Sequence, residues 1–215
     1  MTDVSRRDAL KVFAAVPVAG MLDWTAPSIE RATKFIERLK EEEGAAPYTP
    51  KFFTPHEWRT VRVLADMIIP KDARSGSATD AKAPEFIDFM LMDKETSEAS
   101  KVSMRGGLAW LDAEHRHRYG KNFLDASDAQ RRGVLDDVAY PKKAKPEFAA
   151  GTAWFTRFRS NIGSAFFSSA IGWRDLQYMG NVFNPNWNGC PPEATRKLGV
   201  SYEEYDASLA RSRKA

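Results

Sequence analysis

The chain has 215 residues, 43% of them hydrophobic and 28% charged, a composition typical of one folded domain rather than of a disordered or fibrous protein. Its 32 Lys and Arg residues against 29 Asp and Glu residues leave a formal net charge of +3, and because the two signs are interleaved we expect no nucleic-acid partner. Cys190 is the single cysteine, which excludes an internal disulfide, a cysteine-based zinc finger and the C-x-x-C-H attachment of a c-type haem.

Residues 1–22 are predicted to be a twin-arginine export signal. Arg6 and Arg7 precede a mildly hydrophobic stretch, residues 12–22, that contains no charged residue. As a helix this stretch would rise about 16 Å, roughly half the thickness of a hydrocarbon core, so it cannot cross a bilayer as a helix. Paired arginines before such a stretch are typical of signals by which bacteria export folded proteins, and the alternative is the basic start of an ordinary helix. The signal predicts a periplasmic protein.

Residues 23–50 are predicted to form an amphipathic helical arm followed by a linker. Apolar residues recur at helical spacing after Ser28, and Gly44 marks the expected end of the helix. The apolar face consists of Ile29, Ala32, Ile36 and Leu39. The opposite face is charged, which indicates either a solvated surface or a helix that docks on another surface.

Residues 51–215 are predicted to form a single irregular all-α domain, because apolar residues recur at helical spacing and no alternating pattern of useful length occurs. The clearest helix start is Thr54, which can cap the helix, followed by Pro55 in the first turn and by Glu57, which completes a capping box. Pro70 marks the end of this helix.

Further helices are predicted along the same domain. One begins near Pro84, one spans residues 98–119 before Gly120, and one follows the capping-box pair Ser127 and Gln130. Val102 is expected on the buried face of the second of these. The most aromatic segment, residues 148–171, is predicted to be one continuous helix.

The histidines do not predict a metal site. His56 falls in a helix cap, and His115 and His117 are two residues apart, which places them on different sides of a helix. We therefore expect surface histidines. The neighbourhood of Cys190 offers no general base, so the sequence does not predict a cysteine nucleophile, and the chain has no dinucleotide-binding or P-loop motif.

Residues 172–191 form an aromatic segment rich in Asn, Gly and Pro, with no helical period. Such a segment is either an irregular loop that wraps its own domain or an interaction surface, since aromatic residues are enriched at the centres of interfaces. The candidate partner contacts are Trp173, Tyr178, Asn181, Phe183, Trp187 and Cys190. Because Cys190 has no partner within the chain, in an exported protein it is also a candidate for a disulfide to another chain.

Several segments together resemble subunit 3 of the gluconate 2-dehydrogenase type, the small or gamma subunit of membrane-associated sugar dehydrogenases. The matching pieces are Arg6-Arg7, Phe53-Thr54-Pro55, Leu64-Ala65-Asp66, Ile68-Ile69-Pro70, Pro84-Glu85-Phe86-Ile87-Asp88, Phe166-Phe167-Ser168-Ser169 before Gly172, Tyr178-Met179-Gly180-Asn181 and Gly189-Cys190-Pro191. Each is weak alone, whereas their order along the chain is fairly specific.

The resemblance implies a non-catalytic subunit without a cofactor or a metal of its own. FAD and the chemistry would belong to a large partner subunit of the glucose-methanol-choline oxidoreductase type, which lacks a signal and is exported bound to this chain by the twin-arginine translocation machinery. In several such complexes a cytochrome c subunit then accepts the electrons, and the complex is associated with the membrane. The alternatives are a stand-alone helical enzyme and a periplasmic binding protein acting on sugars.

Overall fold

The computed structural model describes residues 24–41, 47–178 and 189–203. Across those ranges the chain forms eight α-helices, two short 3₁₀ helices and no β-strand, which confirms the predicted all-α class. The α-helices are α1 (Ala26–Glu41), α2 (Pro55–Ile68), α3 (Ala83–Met92), α4 (Glu98–Tyr119), α5 (Asp128–Ala139), α6 (Ala149–Phe167), α7 (Ala170–Asp175) and α8 (Pro192–Leu198). None of the helices in the described ranges combines the length and the apolar character that crossing a membrane requires.

The chain divides into two compact units, residues 1–178 and residues 179–215. Helices α1–α7 belong to the first unit and α8 to the second. The aromatic helix α6 is central to the first unit, because it contacts α2, α3, α4, α5 and α7. Its inward face buries four large side chains completely or almost completely: Trp154, Phe158, Ile162 and Phe166.

Helices α4 and α6 pack against each other through two matching glycine–tryptophan contacts. Gly107 of α4 lies against the indole ring of Trp154, and Gly151 of α6 lies against the indole ring of Trp110. A Cβ atom at either glycine would overlap the facing ring. Each helix thus places a tryptophan over a glycine of the other, and the absent side chains let the two helix axes approach closely.

Most of the local helix signals act as predicted. Thr54 and Glu57 form a complete capping box at the start of α2, and Ser127 and Gln130 form another at α5. Gly120 ends α4 in the left-handed conformation, with φ of 69°. Val102 is a correction, because its side chain is 41% exposed on α4 rather than buried.

The arm helix α1 begins at Ala26, two residues before Ser28. The apolar face predicted for it is the face that packs into the first unit: Ala32 and Ile36 are buried, and α1 contacts α3. Arg31 also forms an ion pair with Asp93 just beyond the end of α3, at 2.9 Å.

Asp88 connects the segment before α2 to the core. Its carboxylate is fully buried on α3 and accepts hydrogen bonds from the hydroxyl of Tyr48 at 2.6 Å and from the backbone amides of Lys51, Phe52 and Phe53 at 2.8, 3.0 and 3.1 Å. Burial and the hydrogen bond to Asp88 raise the pKa of the Tyr48 phenol, so this hydroxyl stays protonated as a donor. The four bonds fix the direction in which the chain enters α2.

The prediction of one helix over residues 148–171 is wrong, because the helix is interrupted at Ser168 and Ser169, between α6 and α7. The hydroxyl of Ser169 donates to the carbonyl of Phe166 at 2.7 Å and accepts from the amide of Gly172 at 3.1 Å, which caps α7. Gly172 is required in this turn, since a Cβ atom there would overlap the Phe166 carbonyl.

The expectation of surface histidines is wrong for His115, whose side chain is fully buried on α4. Its Nδ1 donates to the carbonyl of Leu111 at 2.8 Å, and its ring meets Phe123 edge-on with centroids 5.2 Å apart. Burial lowers the pKa of His115; the bond to Leu111 and nearby Asp112 oppose the shift, and the charges of Arg118 and Arg131 add to it.

We expect His115 to make the fold sensitive to acid. Below the ordinary histidine pKa of about 6.5 the unfolded chain binds a proton that folded His115 does not. This contribution to stability is therefore fully present above that pH and is lost progressively as the pH falls below it. His115→Gln should reduce the loss of unfolding free energy between pH 7 and pH 5, measured by urea denaturation at each pH. His117→Gln, on the exposed side of α4, is the control and should retain the wild-type dependence.

Candidate partner-binding surface

The segment from the end of α6 to Tyr178 exposes four large apolar side chains on the first unit. We call this set the aromatic cluster, and its members with their exposed fractions are Phe167 (40%), Trp173 (48%), Leu176 (58%) and Tyr178 (53%). Single exposed apolar residues are ordinary, whereas four large ones within twelve residues of chain are an uncommon concentration. Such a concentration is typical of a surface that another protein covers.

The chain beyond α7 folds back so that Tyr178 meets Trp173. Gln177 adopts the left-handed conformation, with φ of 55°, and the amide of Tyr178 donates to the carbonyl of Trp173 at 2.9 Å. The two rings then pack edge to face, with centroids 5.9 Å apart. The Trp173–Tyr178 pair therefore has a defined geometry before any partner binds.

Arg74, in the loop between α2 and α3, holds the end of α7. Its guanidinium donates to the backbone carbonyl of Asp175 at 2.7 Å and forms an ion pair with the carboxylate of the same residue at 3.2 Å. A charge-assisted contact to both backbone and side chain limits the movement of the helix that carries Trp173. The support comes from a segment about 100 residues earlier in the chain.

A cleft of about 110 Å³ opens beside the cluster, between α1 and the start of α7. Its walls are mostly apolar and include Ile36, Phe86, Ala165, Ala170 and the ring of Trp173. Thr33, Glu37 and Lys40 of α1 also line it. A cleft of this size next to exposed aromatic rings can accept one apolar side chain from a partner.

The second unit offers a separate apolar hollow of about 300 Å³. Cys190 lies at this hollow with an exposed free thiol, and its backbone amide donates to the hydroxyl of Tyr202 at 2.6 Å. Gly199 ends α8 in the left-handed conformation, and two residues that follow it, Val200 and Tyr202, line the same hollow. The thiol is thus accessible on its own unit.

The predicted contact residues divide into two groups. Trp173 and Tyr178 are exposed and in contact with each other, and Cys190 is exposed in the second unit. Asn181, Phe183 and Trp187, like Arg6 and Arg7 of the predicted signal, lie outside the described residues. Sequence reasoning missed Phe167 and Leu176, because the assumed continuous helix concealed the turn that exposes them; the Ser169-x-x-Gly172 cap was the available signal.

Two buried carboxylates elsewhere in the first unit serve the fold. Asp112 joins α4 to the start of α2 through the His56 ring, at 2.6 Å from Nε2, and accepts from the amide of Phe123 at 3.0 Å. Burial raises the pKa of Glu85, and the ion pair with Arg62 at 3.2 Å opposes that shift. Within the described ranges, no group of three or more His, Cys, Asp or Glu side chains is placed to hold a metal ion.

A family model described as gluconate 2-dehydrogenase subunit 3 matches residues 55–185, more than half of the chain. The match includes α2–α7 and all four residues of the aromatic cluster. No curated protein and no solved structure matched the sequence.

Proposed function

Since the chain belongs to the gluconate 2-dehydrogenase subunit 3 family, we propose that it is the non-catalytic small subunit of a sugar dehydrogenase complex. In this proposal the chain binds and stabilises a large FAD-dependent subunit of the glucose-methanol-choline type and escorts it through twin-arginine export. The large subunit holds the FAD and performs the oxidation, and this chain supplies the binding surface and the signal.

The aromatic cluster is the observation that carries the proposal. Trp and Tyr dominate the binding energy of many interfaces, particularly where they are rigid before binding and flanked by a pocket. Trp173 and Tyr178 satisfy both conditions, because they pack on each other beside the cleft at α1. A total buried area of roughly 1,600 Å² would be sufficient for a stable heterodimer, and the cluster would lie near its centre.

Export explains why a separate subunit is useful. A flavoprotein folds and takes up FAD in the cytoplasm, so it must cross the inner membrane already folded. Arg6 and Arg7 provide the twin-arginine signal for both chains, provided the complex survives transport. The periplasmic complex would then be associated with the membrane and would pass electrons to an acceptor such as a cytochrome c subunit.

Replacing Trp173 and Tyr178 by alanine should weaken the complex. We expect the dissociation constant for the large flavin subunit to rise about thirtyfold or more, equivalent to about 2 kcal/mol. The measurement is titration of the purified subunits with flavin absorbance as the reporter. Met92→Ala together with Val102→Ala removes exposed apolar side chains outside the cluster and should leave the affinity unchanged.

Unchanged affinity of the Trp173→Ala, Tyr178→Ala variant would show that the cluster does not lie in the interface. Failure of the wild-type chain to bind any flavin subunit would contradict the proposed function itself.

Cys190 is proposed to add a covalent contact to the same complex. Its exposed thiol can form a disulfide with a cysteine thiol of the partner. The S–S bond forms by thiol–disulfide exchange with a periplasmic disulfide oxidant, which takes up the two electrons and two protons of the thiols. Non-reducing electrophoresis of the wild-type complex should show a band at the summed mass of the two chains, which Cys190→Ser abolishes. A single band at the mass of this chain alone from the wild-type complex would contradict the bridge.

A further inference from the structure

A strip of small side chains runs along the exposed surface of α6 and ends at the larger Phe167, with the exposed Arg159 beside it. The residues of this strip recur at intervals of one, three or four, and all are at least partly exposed: Ala149, Ala153, Thr156, Ser160, Gly163, Ser164 and Phe167. At 1.5 Å per residue this strip extends about 27 Å along the helix and ends at Phe167, the first member of the aromatic cluster. Nothing lies within 4 Å of a Cβ atom built on Gly163, so the face is open there.

A groove of about 520 Å³ lies along the first turns of this face. One wall is α6, with Ala149, Thr152, Ala153 and Thr156, and the other is the loop that follows α5, with Pro141 and Pro146 among its lining residues. Small side chains on a helix face allow another helix to approach closely, because no long side chain separates the two backbones.

Two hydroxyl groups on the groove wall lack hydrogen-bond partners. Thr152 is only 6% exposed, and its Oγ1 is buried without a donor or acceptor among the described residues. The Oγ1 atom of Thr156, one turn further along α6, is in the same state. Buried hydroxyls are normally paired, since an unpaired one costs free energy relative to its state in water. Rotation about the Cα–Cβ bond of either threonine would bring its hydroxyl to the groove surface, where a polar atom of an occupant can pair with it.

The rim of the groove is positively charged. Lys145 of the loop and Arg157 of α6 line the groove. Lys142 and Lys143 are exposed in the same loop, and the Lys143 ammonium lies over the Tyr140 ring, 5.5 Å from its centroid. Glu147 is the acidic residue of the same exposed stretch, which leaves the basic side chains in excess. The groove also lies at the N-terminal end of the 19-residue α6, where the helix dipole favours negative charge.

We propose that this groove binds an acidic helix of the large dehydrogenase subunit. The contact face of that helix would pack against Ala149 and Ala153, its carboxylates would meet the lysine rim, and polar atoms at its surface would pair with the Thr152 and Thr156 hydroxyls. Because the strip on α6 continues to Phe167, the groove and the aromatic cluster would contact the same partner. The inference rests on the proposed function, since it takes its partner from there.

Three changes separate steric, electrostatic and hydrogen-bonding contributions. Ala153→Trp fills the groove and should raise the dissociation constant for the flavin subunit at least about thirtyfold. Changing Lys142, Lys143 and Lys145 together to Glu should weaken binding about tenfold or more at low salt and remove most of its salt dependence. Thr152→Val should weaken binding about tenfold without lowering the unfolding midpoint of the isolated chain, since that hydroxyl is unpaired there.

The matched control changes three exposed lysines outside the groove, Lys71, Lys94 and Lys121, to Glu. It alters the net charge by the same amount and should keep affinity and salt dependence near the wild-type values. The measurements use the full chain and the purified flavin subunit, and circular dichroism verifies that each variant is folded.

The groove would not be the binding site if folded Ala153→Trp bound the flavin subunit with wild-type affinity. The same conclusion would follow if the two triple-lysine variants weakened binding equally. Either result would leave the proposed function intact. A concentration-dependent dimer of this chain that Ala153→Trp dissociates, detected by sedimentation, would show that a second copy occupies the groove and would also overturn the inference. If the wild-type chain binds no flavin subunit, the proposed function fails and the groove assignment fails with it.

Discussion

Gly107→Ala should lower the free energy of unfolding of the chain by about 3 kcal/mol, at the upper end of the range for overpacked cores. The new methyl group would overlap the indole of Trp154, which is almost completely buried and packs against Phe158 with ring centroids 5.4 Å apart. The ring has no exposed side towards which it can move. Relief therefore requires α4 and α6 to separate, which weakens the central packing of the first unit.

Urea denaturation monitored by circular dichroism measures this effect, and α6 supplies the control. Gly163→Ala also adds a methyl group to a helical glycine, but it meets no neighbour within 4 Å and should stabilise the chain by about 0.5–1 kcal/mol. Gly151→Ala, which overlaps Trp110, should resemble Gly107→Ala. If Gly107→Ala and Gly163→Ala had the same effect, the reciprocal packing of α4 and α6 would be refuted.

Asp88→Ala should lower the free energy of unfolding by about 4 kcal/mol. The substitution leaves three backbone amides and one phenol without their acceptor in a buried site. Asp88→Asn keeps the shape but replaces one acceptor oxygen by a donor that faces other donors, and we expect a loss of about 3 kcal/mol. Urea denaturation is again the measurement. The segment before α2 should also exchange its amide hydrogens faster in both variants, since Asp88 holds that segment in place.

Tyr48→Phe is the matched control for Asp88, since it removes one donor and leaves the carboxylate with the three amides of residues 51–53. This variant should lower the free energy of unfolding by only about 1 kcal/mol. A loss in Asp88→Ala no larger than in Tyr48→Phe would mean that the buried carboxylate does not organise this segment.

Local signals in the sequence were sufficient for the starts of α2 and α5 and for the end of α4. The capping boxes at Thr54 and Ser127 and the left-handed Gly120 lie within a few residues of the backbone groups that they satisfy, so their patterns can be recognised without knowledge of the fold. Long-range contacts could not be predicted in this way. Asp88 binds amides about 36 residues earlier, and nothing near Asp88 in the sequence indicates which donors it will meet.

The interface of α4 and α6 did leave a signal that sequence analysis overlooked. Both helices carry the pattern Gly-x-Ala-Trp, at residues 107–110 and 151–154. In each copy the glycine and the tryptophan are three residues apart, on one helix face, so an antiparallel crossing places each tryptophan over the other glycine. The periodicity of apolar residues alone treats these glycines only as helix weakeners.

The aromatic cluster was predicted only in part for a similar reason. Composition singled out Trp173 and Tyr178, but the exposure of Phe167 depends on where α6 ends. That end is set by Ser169 and Gly172 acting together, through a hydroxyl that bonds in two directions. A continuous hydrophobic pattern from residue 148 to residue 171 masks such a break, because Phe and Ile fit either a longer helix or a turn at its end.

Cell fractionation tests the escort role most directly. Arg6→Lys together with Arg7→Lys preserves the charge of the predicted signal and disrupts the arginine pair. The full chain, wild-type or changed, is produced with the large flavin subunit, and bound FAD and sugar-dependent dye reduction are measured in periplasmic and cytoplasmic fractions. We predict that the wild-type chain delivers both to the periplasm and that the changed chain leaves an assembled, active complex in the cytoplasm. Equal periplasmic activity with the two chains would contradict the account.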